Sequence, residues 1–361
     1  MYQLFCLGGM CVFCSKYFTL VFSGYGNHKE FMADTAEVSA NSSSPLGKKG
    51  ELVTFILQVY NQESCIEPAV KGALSQTYSP LEIIFSDDCS TDRTFEKMQE
   101  LVEGYDGPHK IVFNRNEKNL GIAAHFDKAV SLSHGDFIIG AAGDDTSLPE
   151  RTTRLVQKWL ESGRQAKIVI SNYYRFGEDG EEIFTQTKLP AIRNNPLMDI
   201  IERNKPKVTV HGALAAFDVE LFNQFGPMIE GLVNEDRILL FRCLLLGGRV
   251  ESVEDPLIQV QTGGRSRHKD ILVLLAARVK SVEQHLLDLQ RVDHVEGREA
   301  LIKSCEWKHA KYRVQLLLMR RDLTFSQCHK ICGNRIKLWL LAAKECIMRA
   351  VHRGVYRKLP R

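Results

Sequence analysis

Short apolar runs alternate with amphipathic segments between residues 51 and 145, and this pattern predicts strands separated by helices. In one amphipathic segment, Ile122, Phe126 and Ala129 recur at the spacing of a helix face. Because strands that alternate with helices build βαβ units, we predict an α/β fold with a mostly parallel sheet flanked by helices. The predicted strands are 52–60, 81–85, 111–113 and 137–141, and the predicted helices are 68–75, 92–102 and 122–130.

After residue 145 the alternation is less regular, but it still predicts elements of both kinds. Asp179–Gly180 lies between two extended segments and is typical of a hairpin turn. The segment 211–217 fits either a strand or a close-packed turn. The other predicted elements are a helix at 149–160, a strand at 167–170, a helix at 238–246 and an extended segment at 250–260.

The chain from residue 269 onward is predicted to be helical, with helices at 271–289, 298–319 and about 334–352. Residues 330–361 contain nine Lys and Arg residues and one acid, Glu345. The last helix is therefore basic and amphipathic, and two interpretations stay open. It lies on an anionic membrane surface, or it packs on the main domain with its basic side in solvent.

The first fifty residues differ in character from the rest. Residues 1–31 are mostly apolar, and three interpretations compete: a membrane anchor, an interfacial or loosely packed tail, or sequence upstream of a true start at Met32. A polar leader follows. We predict four parts: 1–50 outside the fold, 51–145 as a nucleotide-binding half, 146–267 as an acceptor half, and 268–361 as a helical extension.

Composition excludes several classes of protein. The chain is 44% hydrophobic and 25% charged, as in ordinary globular proteins, and its net charge of +3 is too small to favour nucleic acid as a partner. The ten cysteines show no framework spacing, which favours free thiols in a reducing, cytoplasmic compartment. Cys11 and Cys14 have the spacing of a metal or redox pair, but no second pair accompanies them.

Paired carboxylates follow two of the predicted strands. Asp87 and Asp88 come after the strand at 81–85, and Asp144 and Asp145 come after the strand at 137–141. In an open parallel sheet, ligands bind outside the carboxyl ends of the strands. Paired aspartates at that edge can hold a hard cation and the hydroxyls of a nucleotide. The alternative for each pair is a helix-capping or solvated turn.

Six short motifs, taken in order and with their spacing, resemble those of glycosyltransferase family 2, which has the GT-A fold. The resemblance covers about residues 52–267. The motifs are Val-Tyr-Asn-Gln-Glu at 59–63, Leu-Ser-Gln-Thr-Tyr at 74–78, Asp-Asp-Cys-Ser-Thr-Asp at 87–92, Asn-Leu-Gly at 119–121, Gly-Asp-Asp at 143–145, and Glu-Asp at 235–236.

The resemblance implies a metal-dependent, inverting glycosyltransferase. Such an enzyme moves a sugar from a nucleoside-diphosphate sugar, UDP-linked by preference, to a hydroxyl of a glycan or lipid-linked glycan. The expected setting is cell-surface polysaccharide biosynthesis, with Mg²⁺ or Mn²⁺ as cofactor. Membrane contact would be peripheral, through the basic C-terminal helix.

The resemblance also implies a role for individual residues. Asp236 is expected to be the catalytic base, with Glu235 beside it in the acceptor site, and His211 and Gly212 are expected on the acceptor side. Asp145 is expected to bind the metal, and His268 is a candidate to complete the metal shell. The residues expected to bind the nucleotide-sugar are Gln58, Tyr60, Asn61, Glu63, Asp87, Asp88, Asn119, Gly121 and Asp144.

Two departures from the family pattern leave alternatives open. Ala142 stands where the family usually has Asp, and Phe126–Asp127 stand where it often has Arg-Asn. A basic contact to the diphosphate is then expected from Arg265, Arg267 or His268. One alternative is a degenerate nucleotide-sugar-binding or scaffold subunit. The other is a nucleotidyltransferase, although the chain lacks the Gly-rich loop that usually follows the first strand of that class.

Overall fold

The predicted strands form one sheet in the computed structural model, which describes residues 50–176, 182–185, 196–202, 210–261 and 271–320. All of these belong to one unit, 48–361. In the described ranges the sheet has nine strands. They are β1 (Val53–Val59), β2 (Leu81–Asp87), β3 (Lys110–Arg115), β4 (Phe137–Ala142), β5 (Asp145–Ser147), β6 (Ala166–Phe176), β7 (Glu182–Thr185), β8 (Ala215–Asp218) and β9 (Arg249–Val260).

The helices predicted within the described ranges are present, and two short helices at Pro196–Glu202 and Glu220–Asn223 were not predicted. Glu235 and Asp236 lie inside the first turn of a helix rather than before it. A 3-10 turn at Gly212–Leu214 leads directly into β8, so both alternatives for 211–217 are partly correct. The helices are α1 (Ile66–Leu74), α2 (Thr94–Val102), α3 (Ile122–Ser131), α4 (Arg151–Glu161), α5 (Pro196–Glu202), α6 (Glu220–Asn223), α7 (Glu235–Leu245), α8 (Ile271–Gln290) and α9 (Arg298–Arg320).

The first half of the chain makes a parallel sheet in the order β3-β2-β1-β4. Gln58 near the end of β1 is level with Ser86 of β2 and with Ala142 of β4. The carboxyl ends of these three strands are therefore aligned. The loops that carry Asp88 and Asp144 leave the sheet at one rim, as the sequence predicts.

The second half of the sheet is mixed, which differs from the mostly parallel sheet that we predicted. β8 runs antiparallel to both β4 and β6, β5 is antiparallel to β9, and β7 is antiparallel to β6. Only β6 and β9 pair in parallel in this half. The physical reason is that the alternation of apolar residues marks a strand without fixing its direction.

Two apolar cores lie on opposite faces of the sheet, because successive side chains of a strand point to opposite faces. Phe55 and Leu57 of β1 pack with Trp159 of α4 on one face. Ile56 packs on the other face, in a core that also contains Leu275 of α8. Strands β1, β2 and β4 are thus buried on both sides, which explains their continuous apolar runs, whereas β3 at the edge is only partly buried.

The helices α8 and α9 contribute to the same core as the sheet, together with α3 and α7. Within the described ranges, none of the helices is long and apolar enough to cross a membrane. Cys65, Cys89, Cys243 and Cys305 are free thiols, as predicted for the residues in these ranges. The predictions for residues 1–49, for Asp179–Gly180, for Arg265, Arg267 and His268, and for the helix at 334–352 lie outside the described residues.

Candidate active site

The loops after β1 and β2 are joined by hydrogen bonds. Asn61 donates its backbone N–H to Ser90 Oγ at 2.9 Å, and Asn61 Oδ1 accepts from the backbone N–H of Thr91 at 2.8 Å. Glu63 Oε2 accepts from the backbone N–H of Arg93 at 3.1 Å. Asn61 and Glu63, both predicted to bind the nucleotide-sugar, thus use their side chains to hold one loop against the other.

The two aspartates at the end of β2 have different surroundings. Asp87 is fully buried, and its carboxylate accepts from the backbone N–H and the hydroxyl of Ser90 and lies 3.6 Å from Arg115 Nε. Asp87 therefore holds the turn that follows β2 through these contacts, and its predicted part in nucleotide binding stays a prediction.

Asp88 holds the turn that begins at Asn119. Its Oδ1 accepts from Asn116 Nδ2 at 2.9 Å and from the N–H of Leu120 at 2.8 Å, and its Oδ2 accepts from the N–H of Gly121 at 2.9 Å. An ionised carboxylate offers about four acceptor positions, so about one remains on Asp88. Asn119 itself is exposed at the rim.

A buried network of hydrogen-bonded polar side chains lies behind Asp88, and it was not predicted from the sequence. His125 of α3 has its Nε2 at 2.7 Å from Ser86 Oγ, and Asn114 Nδ2 donates to Ser86 Oγ at 2.9 Å and to Asn116 Oδ1 at 3.0 Å. Burial lowers the pKa of His125, and the charge of Asp88 opposes this. A neutral imidazole on an apolar helix face gives no signal in sequence, because its partners come from other strands.

The rim between β1 and β4 is lined by three of the predicted nucleotide contacts. Gln58 Nε2 donates to the backbone carbonyl of Ile122 at 3.4 Å, and the backbone carbonyl of Gln58 accepts from the N–H of Gly143 at 3.1 Å. Tyr60 is 44% exposed, and Asp144 is half-buried. These contacts bring Gln58, Tyr60 and Asp144 to the edge where the sequence predicts the ligand.

Asp145 lies beside a buried arginine. Loss of solvent and the charge of Asp144 raise the pKa of Asp145 to about 7, while the N–H of Gln261 and the charge of Arg151 act in the opposite direction. Arg151 is fully buried, and burial lowers its pKa to about 9 in spite of Asp145. The sequence signal for Arg151 was only its place in the first turn of the helix at 149–160.

Arg151 connects strands β4 and β5 to the 3-10 turn before β8. Its Nη2 donates to the carbonyl of Gly140 at 2.7 Å and to the carbonyl of Ala213 at 2.8 Å, and its Nη1 donates to Ser147 Oγ at 2.8 Å. One guanidinium thus ties β4, β5 and the 3-10 turn together, and the two halves of the predicted domain meet at this point.

Gly140 allows β4 to approach the 3-10 turn closely, and Gly212 allows that turn to approach α7 closely. A Cβ at Gly140 would lie 2.7 Å from the carbonyl oxygen of Gly212, and a Cβ at Gly212 would lie 2.5 Å from Glu235 Oε1. Neither position leaves room for a side chain. The strand that delivers Asp144 and Asp145 is therefore connected, through Gly212, to the acids of α7.

Alanine at these two glycines is expected to have two different effects. The Cβ of Gly212→Ala meets the end of a flexible side chain, so the fold should hold while Glu235 is displaced and acceptor KM rises. The Cβ of Gly140→Ala meets backbone, so unfolding free energy should fall by about 1–3 kcal/mol. Urea unfolding and steady-state kinetics of both variants test this, and equal stability loss in both would contradict it.

Glu235 and Asp236 share one partly exposed site at the start of α7. Loss of solvent and the charge of Asp236 raise the pKa of Glu235 to about 8. Loss of solvent also raises the pKa of Asp236, but the N–H of Arg237 and the charges of His211 and Arg237 favour its ionised form. Burial therefore disfavours the charged form of both acids, and Asp236 is the one of the two that has charges of opposite sign next to it.

The carboxylates of Asp144 and Asp145 fit a divalent cation. Mg²⁺ is commonly held by one or two carboxylates together with substrate phosphates, and the raised pKa of Asp145 reflects its burial and the neighbouring charge of Asp144, both of which a cation would offset. Within the described ranges, no three His, Cys, Asp or Glu side chains converge as an all-protein metal site. His268, the predicted further ligand, lies outside those ranges.

Comparison with known proteins agrees with this geometry. The sequence profile described as Glycosyl transferase family 2 matches residues 54–226. ExoO of Rhizobium meliloti, a succinoglycan biosynthesis protein, is 28% identical over 258 residues, which are 67% of this chain and 72% of ExoO. EpsE of Bacillus subtilis is 32% identical over 146 residues, which are 40% of this chain and 51% of EpsE. The match thus spans about half the length of EpsE.

The fold has solved counterparts. The crystal structure of S. aureus TarS 1-349 in complex with UDP-GlcNAc is similar with a TM-score of 0.51 and 16% identity, covering 80% of this chain and 79% of TarS 1-349. At this identity the similarity concerns the fold alone, and it confirms the prediction of the GT-A fold. Residues 54–226 thus match glycosyltransferase family 2, a family of sugar-transferring enzymes.

Proposed function

We propose that this protein transfers a sugar, with inversion, from a UDP-sugar to a hydroxyl of a glycan or lipid-linked glycan in polysaccharide biosynthesis. One observation carries the proposal: the loop of Asp144 and Asp145 and the acids of α7 lie on either side of the contact between Gly140 and Gly212. The rim proposed to bind the donor and the acids proposed to accept the proton then lie next to each other. The name of ExoO supports polysaccharide biosynthesis as the setting.

The donor is proposed to lie along the rim of β1, β2 and β4. The acceptor position left on Asp88 suits the single N–H of uracil, whereas guanine presents several donors on its corresponding edge. Asp144 is proposed to bind the ribose hydroxyls. Asp145, with Asp144 near it, would hold Mg²⁺ or Mn²⁺, and the ion would supply neutralisation of the charge on the departing diphosphate.

Asp236 is proposed as the base of a single displacement. Its carboxylate takes the proton from the acceptor hydroxyl while that oxygen forms a bond to the anomeric carbon. The bond from that carbon to the diphosphate oxygen breaks, and UDP leaves with the electron pair. Because the acceptor attacks from the face opposite the leaving group, the configuration inverts. Protonated Glu235 beside it is proposed to donate a hydrogen bond to the acceptor.

The basic segment at 330–361 is proposed to hold the enzyme at an anionic membrane surface, where lipid-linked acceptors are found.

A nucleotide-sugar panel tests the donor. With Mn²⁺ present, a UDP-sugar at a hundred times its Kd should raise the melting temperature by roughly 5 °C, and GDP-sugars should not. Asp145→Asn should keep the melting temperature of the ligand-free protein and lose the part of the shift that depends on Mn²⁺. A shift that is equal for all nucleotides would contradict the assignment of Asp88.

The second candidate is a nucleotide-sugar-binding subunit without transfer, which Ala142 favours because the family usually has a carboxylate there. Calorimetric titration with UDP, with and without Mn²⁺, combined with assays of donor hydrolysis and transfer, separates the two. Tight UDP binding without either reaction would support the binding subunit.

A further inference from the structure

The open acceptor position on Asp88 has a fixed place at the rim of the sheet. Oδ1 accepts from Asn116 Nδ2 and from the N–H of Leu120, and Oδ2 accepts from the N–H of Gly121. Because each carboxylate oxygen offers about two acceptor positions, the one that remains is on Oδ2. Two of these donors are backbone groups of a single turn, so Asn116 is the side chain on which the orientation of the carboxylate depends.

The amide of Asn116 is itself held by a neighbouring side chain. Asn114 Nδ2 donates to Asn116 Oδ1 at 3.0 Å and to Ser86 Oγ at 2.9 Å, so both of its N–H groups are in use. With its oxygen bound in this way, Asn116 presents only its N–H₂ group to Asp88. A flipped amide would place its oxygen against the carboxylate of Asp88 and its N–H₂ group against the N–H₂ group of Asn114.

Ser86 and His125 fix the other end of this network. Ser86 is fully buried, and across the ranges that the structure describes its hydroxyl has two partners, Asn114 Nδ2 and, at 2.7 Å, His125 Nε2. Because the hydroxyl oxygen accepts from Asn114, its O–H is left to donate to Nε2. Burial lowers the pKa of His125, which agrees with a neutral ring whose Nε2 accepts. All the hydrogen bonds between His125 and Asp88 therefore have one consistent direction.

A carboxylate held in this way discriminates between pyrimidine bases. In uracil, the ring nitrogen between the two carbonyl groups carries a hydrogen, whereas the corresponding nitrogen of cytosine is an acceptor. The open position on Oδ2 attracts the first group and repels the second. A site built to make one particular hydrogen bond rejects a ligand that leaves its buried polar group unpaired.

We propose that Asn116 is a positioning residue for the donor nucleotide, because it holds Asp88 in the orientation that selects uracil over cytosine. The inference rests on the proposed function, in which Asp88 accepts from the base. Asn116 is 8% exposed, so it acts through Asp88 rather than on the ligand. In this turn the sequence predicted only Asn119 and Gly121 as nucleotide contacts.

Asn116→Asp tests the inference through its dependence on pH. The new carboxyl group keeps the shape of the amide, but it can donate to Asp88 only while the two acids share a proton. Calorimetric titration of the full chain with UDP and Mg²⁺ gives the Kd of the variant and of the wild type at each pH. The ratio of the two Kd values should increase roughly tenfold from about pH 5 to about pH 8.5.

The ratio cancels titrations that both proteins share, including that of Asp145. Asn223→Asp is the matched control, because it makes the same change of charge at an exposed residue of α6. Its ratio to the wild type should stay constant over the same pH range.

Asn116→Ala tests the selectivity, and it serves also if Asn116→Asp does not fold. The wild type should bind UDP more tightly than CDP. In Asn116→Ala the carboxylate of Asp88 is free to turn, so this preference should fall roughly tenfold. If Asn116 only supported the fold, its loss would weaken the binding of both nucleotides equally.

A ratio that does not change with pH in Asn116→Asp, or an unchanged preference for UDP in Asn116→Ala, would overturn the inference alone. A wild type that binds UDP no better than CDP would refute the proposed contact between Asp88 and the base, and this inference with it. The expected results in a protein that transfers no sugar would support the inference and refute the proposed transfer.

Discussion

Asp236→Asn should lower kcat for sugar transfer by roughly 10²–10⁴-fold, because general-base catalysis contributes about that much and the amide cannot accept the hydroxyl proton. The fold should be retained, since Asp236 is partly exposed and its Oδ1 bond from the Arg237 N–H is made by an oxygen that asparagine also has. Initial rates of UDP release and of product formation measure the effect. Donor affinity, measured with UDP, should stay at the wild-type value.

Glu235→Gln is the matched control for Asp236→Asn. Glutamine resembles the protonated form of Glu235, so activity at neutral pH should stay within about threefold of wild type. The wild-type rate should fall as pH rises through about 8, where Glu235 loses its proton. This decrease should be absent in Glu235→Gln. If Glu235→Gln loses as much activity as Asp236→Asn, the assignment of the base is wrong.

The same pair of residues should make stability depend on pH. Because the pKa of Glu235 is raised from 4.5 to about 8, the folded state holds a proton between these values that the unfolded state has lost. The free energy of unfolding should therefore decrease as pH rises from 4.5 towards 8. Urea unfolding across this range should show a shallower decrease in Glu235→Gln.

Arg151→Met should destabilise the fold by about 3 kcal/mol or more, because it leaves three buried acceptors without their donor. Those acceptors are the carbonyls of Gly140 and Ala213 and the hydroxyl of Ser147. Arg151→Lys keeps the charge but cannot reach all three, so it should lose a similar amount. Urea unfolding with an unchanged m-value measures the difference.

The control is Arg154→Gln, three residues further along the same helix. Arg154 is 46% exposed in its side chain and pairs with Asp255 at the surface, so its loss should cost less than about 1 kcal/mol. Equal stability of Arg151→Met and Arg154→Gln would show that the link between the two sides of the rim contributes nothing to the fold.

The sequence predicted the parallel half of the fold well for a physical reason. Strands such as Val53–Val59 are buried on both faces, so they are continuous apolar runs that stand out between helices. The direction of Ala215–Asp218 could not be predicted, because its four residues can join a neighbouring strand in either sense. The boundaries predicted at 51, 145 and 267 stay predictions.

The candidate site could be predicted where its functional residues are neighbours in the sequence. Asp144–Asp145 and Glu235–Asp236 are adjacent pairs at the ends of elements, and they could be found without a structure. Their proximity depends on the contact between Gly140 and Gly212, which no local pattern encodes.

Residues that act through distant partners escaped prediction or changed meaning. Arg151 and His125 were missed because their hydrogen-bond partners lie on other strands and turns. Asn61, Glu63 and Asp87 were predicted to bind the nucleotide-sugar, and in the structure their side chains hold the loops together. Their part in nucleotide binding stays a prediction.

The glycine contact beneath the rim also limits how this enzyme can diversify. The carbonyl of residue 212 occupies the space where a side chain at position 140 would project, and Glu235 Oε1 occupies the space where a side chain at position 212 would project. Variation at either position should therefore require a compensating shift of the segment that faces it, and sequence change should accumulate more easily in loops outside this contact.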